Sequence, residues 1–241
     1  MGSRASDASA GGSRRLTALP HCVAMKHRRA RLRDARLYFV CDRRPAGRPL
    51  RDVLEAALRG GVDVFQLRDK DATDAELLET ATAARELCAA HDALFLVNDR
   101  PDLAVAADAD GVHVGQDDLP VDEARAIVGP DPLLGLSTHG PGQADAAAAL
   151  DVDYIAVGPV HATPTKLGRP AIGLDPVRHA AATVTRPWFA IGGIDERTIG
   201  GVVAAGARRV VVVRAIAQAE DPERTAHALR AALDVEVAAG G

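Results

Sequence analysis

Two features of this 241-residue chain, one cationic and one acidic, suit the binding of a polyanion. The first is Gln66-Leu67-Arg68-Asp69-Lys70. On an extended strand, alternation points Gln66, Arg68 and Lys70 one way and Leu67 and Asp69 the other. An arginine fork and a compact lysine charge beside an amide would grip phosphate oxygens. The alternative for this run is a solvated charged rim. The second feature is a pair of acidic sites, Asn98-Asp99 and Gln116-Asp117-Asp118. If these close neighbouring strands, their carboxylates repel unless they share a cation or a proton. One or two carboxylates completed by phosphate and water describe a Mg²⁺ site. The competing role is helix N-capping, which claims one of Asp117 and Asp118.

Other polar residues are placed sparingly. The chain has three lysines, of which Lys70 and Lys166 lie outside the N-terminal tail, a single asparagine, Asn98, and one serine beyond the tail, Ser137. Gly135-Leu136-Ser137-Thr138-His139 invites a nucleophile–base pairing. Without a Gly-x-Ser-x-Gly elbow or an assignable third carboxylate, Ser137 reads better as a hydrogen-bonding group. The longest connection, Gly158 to Gly173, carries Thr163-Pro164-Thr165-Lys166, and long loops in compact domains are usually lids, binding segments or disorder. Ile191-Gly192-Gly193-Ile194 and Val213-Arg214 supply backbone N–H groups and one more cation, a second anion site.

The elements that must hold these groups follow from a repeat of about 25 residues beginning near Arg36. Apolar runs at Leu37 to Cys41, Val62 to Leu67, Leu94 to Val97, Gly111 to Val114, Leu133 to Leu136, Tyr154 to Val157, Trp188 to Ile191 and Arg209 to Val213 read as strands buried on both faces. Alanine-rich stretches between them, such as Asp74 to His91, Val121 to Val128 and Gly142 to Leu150, repeat their apolar residues at three and four positions. Eight such units predict an α/β chain forming a single-domain (β/α)8 TIM barrel over residues 34–241. An open doubly wound sheet is the rival, but the first turn, CDRRPAG, carries no Gly-x-Gly-x-x-Gly. In a barrel, the residues above all fall on the catalytic rim at the strands' C-terminal ends.

Charge separates the tail from the body. Residues 1–33 hold eight of the 29 lysines and arginines and one acid, a net +7, which leaves −11 on the remainder. The tail reads as a disordered basic extension, with Met25 a second place where translation could start. An acidic body argues against general nucleic-acid binding. No apolar run reaches the ~18 residues of a membrane span, and three scattered cysteines suggest neither a disulfide framework nor a metal cluster. A cytoplasmic protein is expected, and a homo-oligomer is compatible with the fold.

Taken in order, the loops resemble the thiamine phosphate synthase family. The matching segments are QLRDK (66–70), ND (98–99), ADGVHVGQDD (109–118), GLSTH (135–139), DYIAVGPVHATPTK (153–166), the GL at 173–174 and IGGI (191–194), on six of eight strands and spanning roughly residues 36 to 220. The resemblance implies a Mg²⁺-dependent transferase that joins a hydroxymethylpyrimidine pyrophosphate to a thiazole phosphate and releases pyrophosphate. It implies that Gln66, Arg68, Lys70, Asn98, Ser137 and Lys166 contact the pyrimidine pyrophosphate, that Asp99 and Asp118 hold Mg²⁺, and that Thr163, Thr165, Gly193, Val213 and Arg214 contact the thiazole phosphate. Arg68, Lys70, Ser137 and Lys166 would serve the reaction itself. Arg214 departs from the small serine expected there. A thiazole phosphate isomerase and a phosphate-sensing barrel are the weaker readings, since neither needs both aspartates and both lysines.

Overall fold

The computed structural model describes residues 20–162 and 171–234, with side chains from residue 27 onward. Eight strands, β1 (Leu37–Cys41), β2 (Val64–Leu67), β3 (Leu94–Asn98), β4 (Gly111–Val114), β5 (Leu133–Thr138), β6 (Tyr154–Val157), β7 (Trp188–Ile191) and β8 (Val210–Val212), form a closed barrel in sequence order. Every neighbour is parallel, and β8 closes on β1 through Tyr38 opposite Val211. The described helices are α1 (Pro20–Asp34), α2 (Leu50–Arg59), α3 (Asp74–Ala90), α4 (Pro101–Ala106), α5 (Val121–Val128), α6 (Pro141–Ala146), α7 (Asp175–Thr183), α8 (Ile199–Ala204), α9 (Arg214–Ala217) and α10 (Pro222–Asp234). The expected TIM barrel is the observed fold.

Strand alternation sorts the side chains into two cores. Leu37, Phe39, Phe65, Leu67 and Phe95 face the helices and pack with residues such as Leu54, Ala84 and Leu229. Tyr38, Val64, Leu94, Leu96, Leu133, Tyr154, Phe189 and Val211 fill the barrel interior. Continuing each inward row toward the C-terminal ends brings Gln66, Asn98, His113 and Ser137 to one mouth, which is how the fold positions the site. Locally, α2 buries the stripe Leu50, Val53, Leu54, Ala57 and Leu58. A capping box starts α3: Glu76 N donates to Thr73 Oγ1 and Thr73 N donates to Glu76 Oε2. That box satisfies two of the amides a helix start leaves open.

The opposite mouth is built on four equivalent corners. Asp63, Asp110 and Asp153 immediately precede β2, β4 and β6, and Arg209 precedes β8. Each aspartate accepts from a backbone N–H at the start of the neighbouring strand: Asp63 from Leu37 (2.9 Å), Asp110 from Phe95 (3.0 Å) and Asp153 from Leu134 (2.8 Å). Each also pairs with an arginine: Arg230 for Asp63, Arg28 for Asp110, and Arg29 with Arg125 for Asp153. Arg209 instead donates to the Arg33 carbonyl at 2.6 Å.

Helix α1 corrects the expected boundary of the tail. The disordered extension was expected to run from 1 to 33, yet residues from Pro20 form a helix whose Leu32 is 1% exposed and belongs to the interior core. It closes the lower mouth because Arg28 and Arg29 find buried carboxylates far away in sequence. Residues 1–19 lie outside the described residues. A second correction is smaller: the helix expected over 142–150 is α6 followed by a 3₁₀ turn, Ala147–Ala149. No helix among the described residues is long and apolar enough to cross a membrane.

Candidate active site

A cavity of about 480 Å³ opens at the C-terminal ends of the strands, within the range of small-molecule sites. Gln66, Arg68, Asn98 and Ser137, from β2, β3 and β5, line it on one side of the barrel. Gly193, Val213 and Arg214, beyond β7 and β8, line it on the other. These seven come from both expected contact sets, and the fold brings them to one cavity, whereas Lys70, Asp99 and Asp118 are not among its lining residues. Thr163, Thr165 and Lys166 lie outside the described residues. The connection that carries them is fixed at both ends: Ile172 N donates to Pro159 O at 2.8 Å and Gly173 N to Val160 O at 3.1 Å.

Asp99 and Asp118 meet. Burial and the adjacent Asp118 carboxylate push the Asp99 carboxyl up to about 6, while Asn98 and Lys70 pull the other way. Lys70 is exposed just past β2 and acts on Asp99 by charge. Asp118 is held by the Gly115 N–H at 2.8 Å, and Asp99 by its own N–H on the His113 carbonyl at 2.8 Å. Asp99 also sits at φ +60°, a conformation that favours glycine and asparagine. The N-capping alternative does not hold. Helix α4 starts after Arg100 and α5 after Pro120, neither with a side-chain cap. The pair offers two carboxylates from the loops after β3 and β4, whose repulsion a divalent cation would relieve, a donor chemistry that would suit Mg²⁺. Among the described residues, no group of three or more His, Cys, Asp or Glu side chains could hold a metal.

Asp69, expected to face away from Arg68 and Lys70, does so: it takes Arg43 Nε at 3.1 Å and Arg43 N at 3.3 Å. Gly193 (φ +61°) could not carry a Cβ, which would stand 2.7 Å from that of His161. The histidine beside Ser137 is His113, with Nε2 at 2.9 Å from Oγ. His139 instead places Nδ1 2.7 Å from the Gly158 carbonyl. Sequence reasoning missed His113, Tyr38 and Tyr154. Their signal was present: the chain has only two tyrosines, both at inward positions of apolar strands, and His113 breaks the run Gly-Val-His-Val in the same parity.

A family model described as thiamine monophosphate synthase matches residues 37–216. The chain belongs to the thiamine monophosphate synthase family. Relatives extend the match across the thiamine monophosphate synthase barrel. The thiamine-phosphate synthase of Streptomyces avermitilis is 54% identical over 200 residues, covering 82% of this chain and 93% of that protein. The thiamine-phosphate synthase of Gloeobacter violaceus is 52% identical over 197 residues, and there the match covers 82% of this chain and 57% of the relative. Among solved structures, a thiamine phosphate pyrophosphorylase from Pyrococcus furiosus superposes with a TM-score of 0.77 at 34% identity, covering 86% of this chain and 98% of the other. Membership of the thiamine monophosphate synthase family places the chain among transferases of thiamine biosynthesis.

Proposed function

We propose that the chain condenses a hydroxymethylpyrimidine pyrophosphate with a thiazole phosphate, giving thiamine phosphate and pyrophosphate. The observation that carries this reading is the cavity itself. Side-chain amide, guanidinium and hydroxyl groups occupy one side, and glycine backbone with Arg214 the other, so one mouth has separate groups for two anionic reactants. The C–O bond to pyrophosphate breaks with its electron pair leaving on oxygen. The electron-rich aminopyrimidine stabilises the cationic methylene, and the thiazole nitrogen then supplies the pair for the new C–N bond. No covalent enzyme nucleophile is needed.

The protein's part is positional and electrostatic. Gln66, Asn98 and Ser137 orient the pyrimidine pyrophosphate, while Arg68, Lys70 and Lys166 draw off the charge that grows on the leaving group. Asp99 and Asp118 would hold Mg²⁺, which when bound adds positive charge against the diphosphate. Thr163, Thr165, Gly193, Val213 and Arg214 seat the thiazole phosphate. With an acidic body and small anionic reactants, the partners are small molecules rather than nucleic acid or membrane, the setting is cytoplasmic, and a homo-oligomer remains compatible with the barrel.

The test is pyrophosphate release by purified protein given both reactants and Mg²⁺. Lys166→Ala is expected to lose on the order of 10²–10³-fold in turnover with unchanged thermal stability. Absence of pyrophosphate release from the wild type would refute the reaction, and full activity in Lys166→Ala would refute the leaving-group role.

A further inference from the structure

Five buried polar side chains run across the barrel in single file at the cavity floor, with Gln66, His113 and Ser137 lining the cavity and Tyr38 and Tyr154 beneath them. Gln66 Nε2 donates to Tyr38 Oη at 2.7 Å. Tyr38 Oη lies 3.0 Å from Tyr154 Oη, and Tyr154 Oη lies 3.0 Å from His113 Nδ1. His113 Nε2 completes the file 2.9 Å from Ser137 Oγ. All five are less than 9% exposed. A phenol has one proton to give, so a chain of such groups has only two self-consistent polarities. Burial pushes both phenols well above their usual range, so each stays protonated and neutral.

The amide end selects between them. Tyr38 accepts from Gln66 and must give its own proton to Tyr154. Tyr154 in turn gives its proton to His113 Nδ1. With Nδ1 accepting, the imidazole carries its hydrogen on Nε2 and donates it to Ser137 Oγ. Ser137 is left with an O–H that has to find its acceptor in the cavity. The sequence makes room for this arrangement: a Cβ on Gly135 would overlap Cζ, Cε1 and Oη of Tyr154.

We propose that Tyr38, Tyr154 and His113 are positioning residues that fix Ser137 as a hydrogen-bond donor to the reactant, and that the Ser137–His113 contact is a donor lock rather than a nucleophile–base pair. A base would need Nε2 unprotonated, which this polarity forbids. The recipient of the Ser137 proton is an acceptor, a diphosphate oxygen or an aromatic ring nitrogen. The part about the reactant rests on the function proposed above, whereas the polarity of the chain does not.

Two measurements test it. The first is the tautomer of His113 in the ligand-free wild type, read from long-range ¹H–¹⁵N correlations and assigned by the signals lost in His113→Gln. Hydrogen on Nε2 is expected, and hydrogen on Nδ1 overturns the proposal. The second is a double-mutant cycle on pyrophosphate release. Tyr154→Phe is expected to cost on the order of 10-fold in kcat/KM but almost nothing further in a Ser137→Ala background. A full additional loss there would mean that Tyr154 acts only on the fold, and would overturn the positioning role. Tyr38→Phe leaves the Tyr154 hydroxyl on Nδ1 and should cost less than Tyr154→Phe. A wild type that releases no pyrophosphate but shows the Nε2–H tautomer would sink the proposed reaction while upholding the polarity.

Discussion

Asp99→Asn tests what it costs the folded protein to keep a buried carboxylate ionised beside Asp118. In the folded protein the Asp99 carboxyl is displaced from its ordinary value of 3.8 to about 6 by burial and by Asp118. A displacement of that size means that holding Asp99 ionised costs the folded state up to about 3 kcal/mol. The sign follows from proton linkage. Below pH ~4 the group is protonated in both folded and unfolded chains, and charge contributes nothing. Between ~4 and ~6 only the folded protein keeps the proton, so the wild type loses stability as pH rises. Above ~6 the full cost is present. The asparagine variant carries no such cost at any pH, so its advantage should grow from near zero at pH 4 to a plateau of about 1–3 kcal/mol by pH 7. Asparagine also tolerates φ +60° better than aspartate, but that gain does not depend on pH, so the slope is what counts. Urea unfolding in chelator from pH 4.5 to 8 measures it, and millimolar Mg²⁺ should then stabilise the wild type alone. A wild-type–variant difference that stays flat across this range would show that neither burial nor Asp118 raises the Asp99 carboxyl, and would refute the reasoning.

Three further substitutions probe how the site is held. Leu32→Ala should cost about 2–5 kcal/mol in urea unfolding, because a 1%-exposed leucine in α1 belongs to the barrel interior. Gly135→Ala should cost about 1–3 kcal/mol or more and depress pyrophosphate release, since the new methyl displaces the Tyr154 ring. Thr73→Ala, which opens the α3 capping box, should cost about 1 kcal/mol of stability and leave pyrophosphate release unchanged.

What the sequence made legible follows from where each signal comes from. Strands of a parallel barrel are buried on both faces, so β1, β4, β6 and β7 stood out as short apolar runs with the observed ends. Strand β5 extends two residues further, through Ser137 and Thr138, because barrel pairing with β6 overrides polarity there. The rim residues were legible because a chain with three lysines and one asparagine had placed them just past strands. Helix α1 was not, because beside the buried Leu32 its ties to the barrel are ion pairs with remote partners: its arginines meet Asp110 and Asp153, 82 and 124 positions away, and nothing local announces those partners. The file from Gln66 to Ser137 was hidden for a similar reason. Alternation put its members on the inner face, but only the barrel's closure sets Tyr38 of β1 against Tyr154 of β6.

With α1 seated across the lower mouth and rings and aliphatic chains filling the middle, the barrel is a cul-de-sac. In the proposed reaction, arriving reactants and departing products would therefore share the one doorway at the C-terminal ends of the strands.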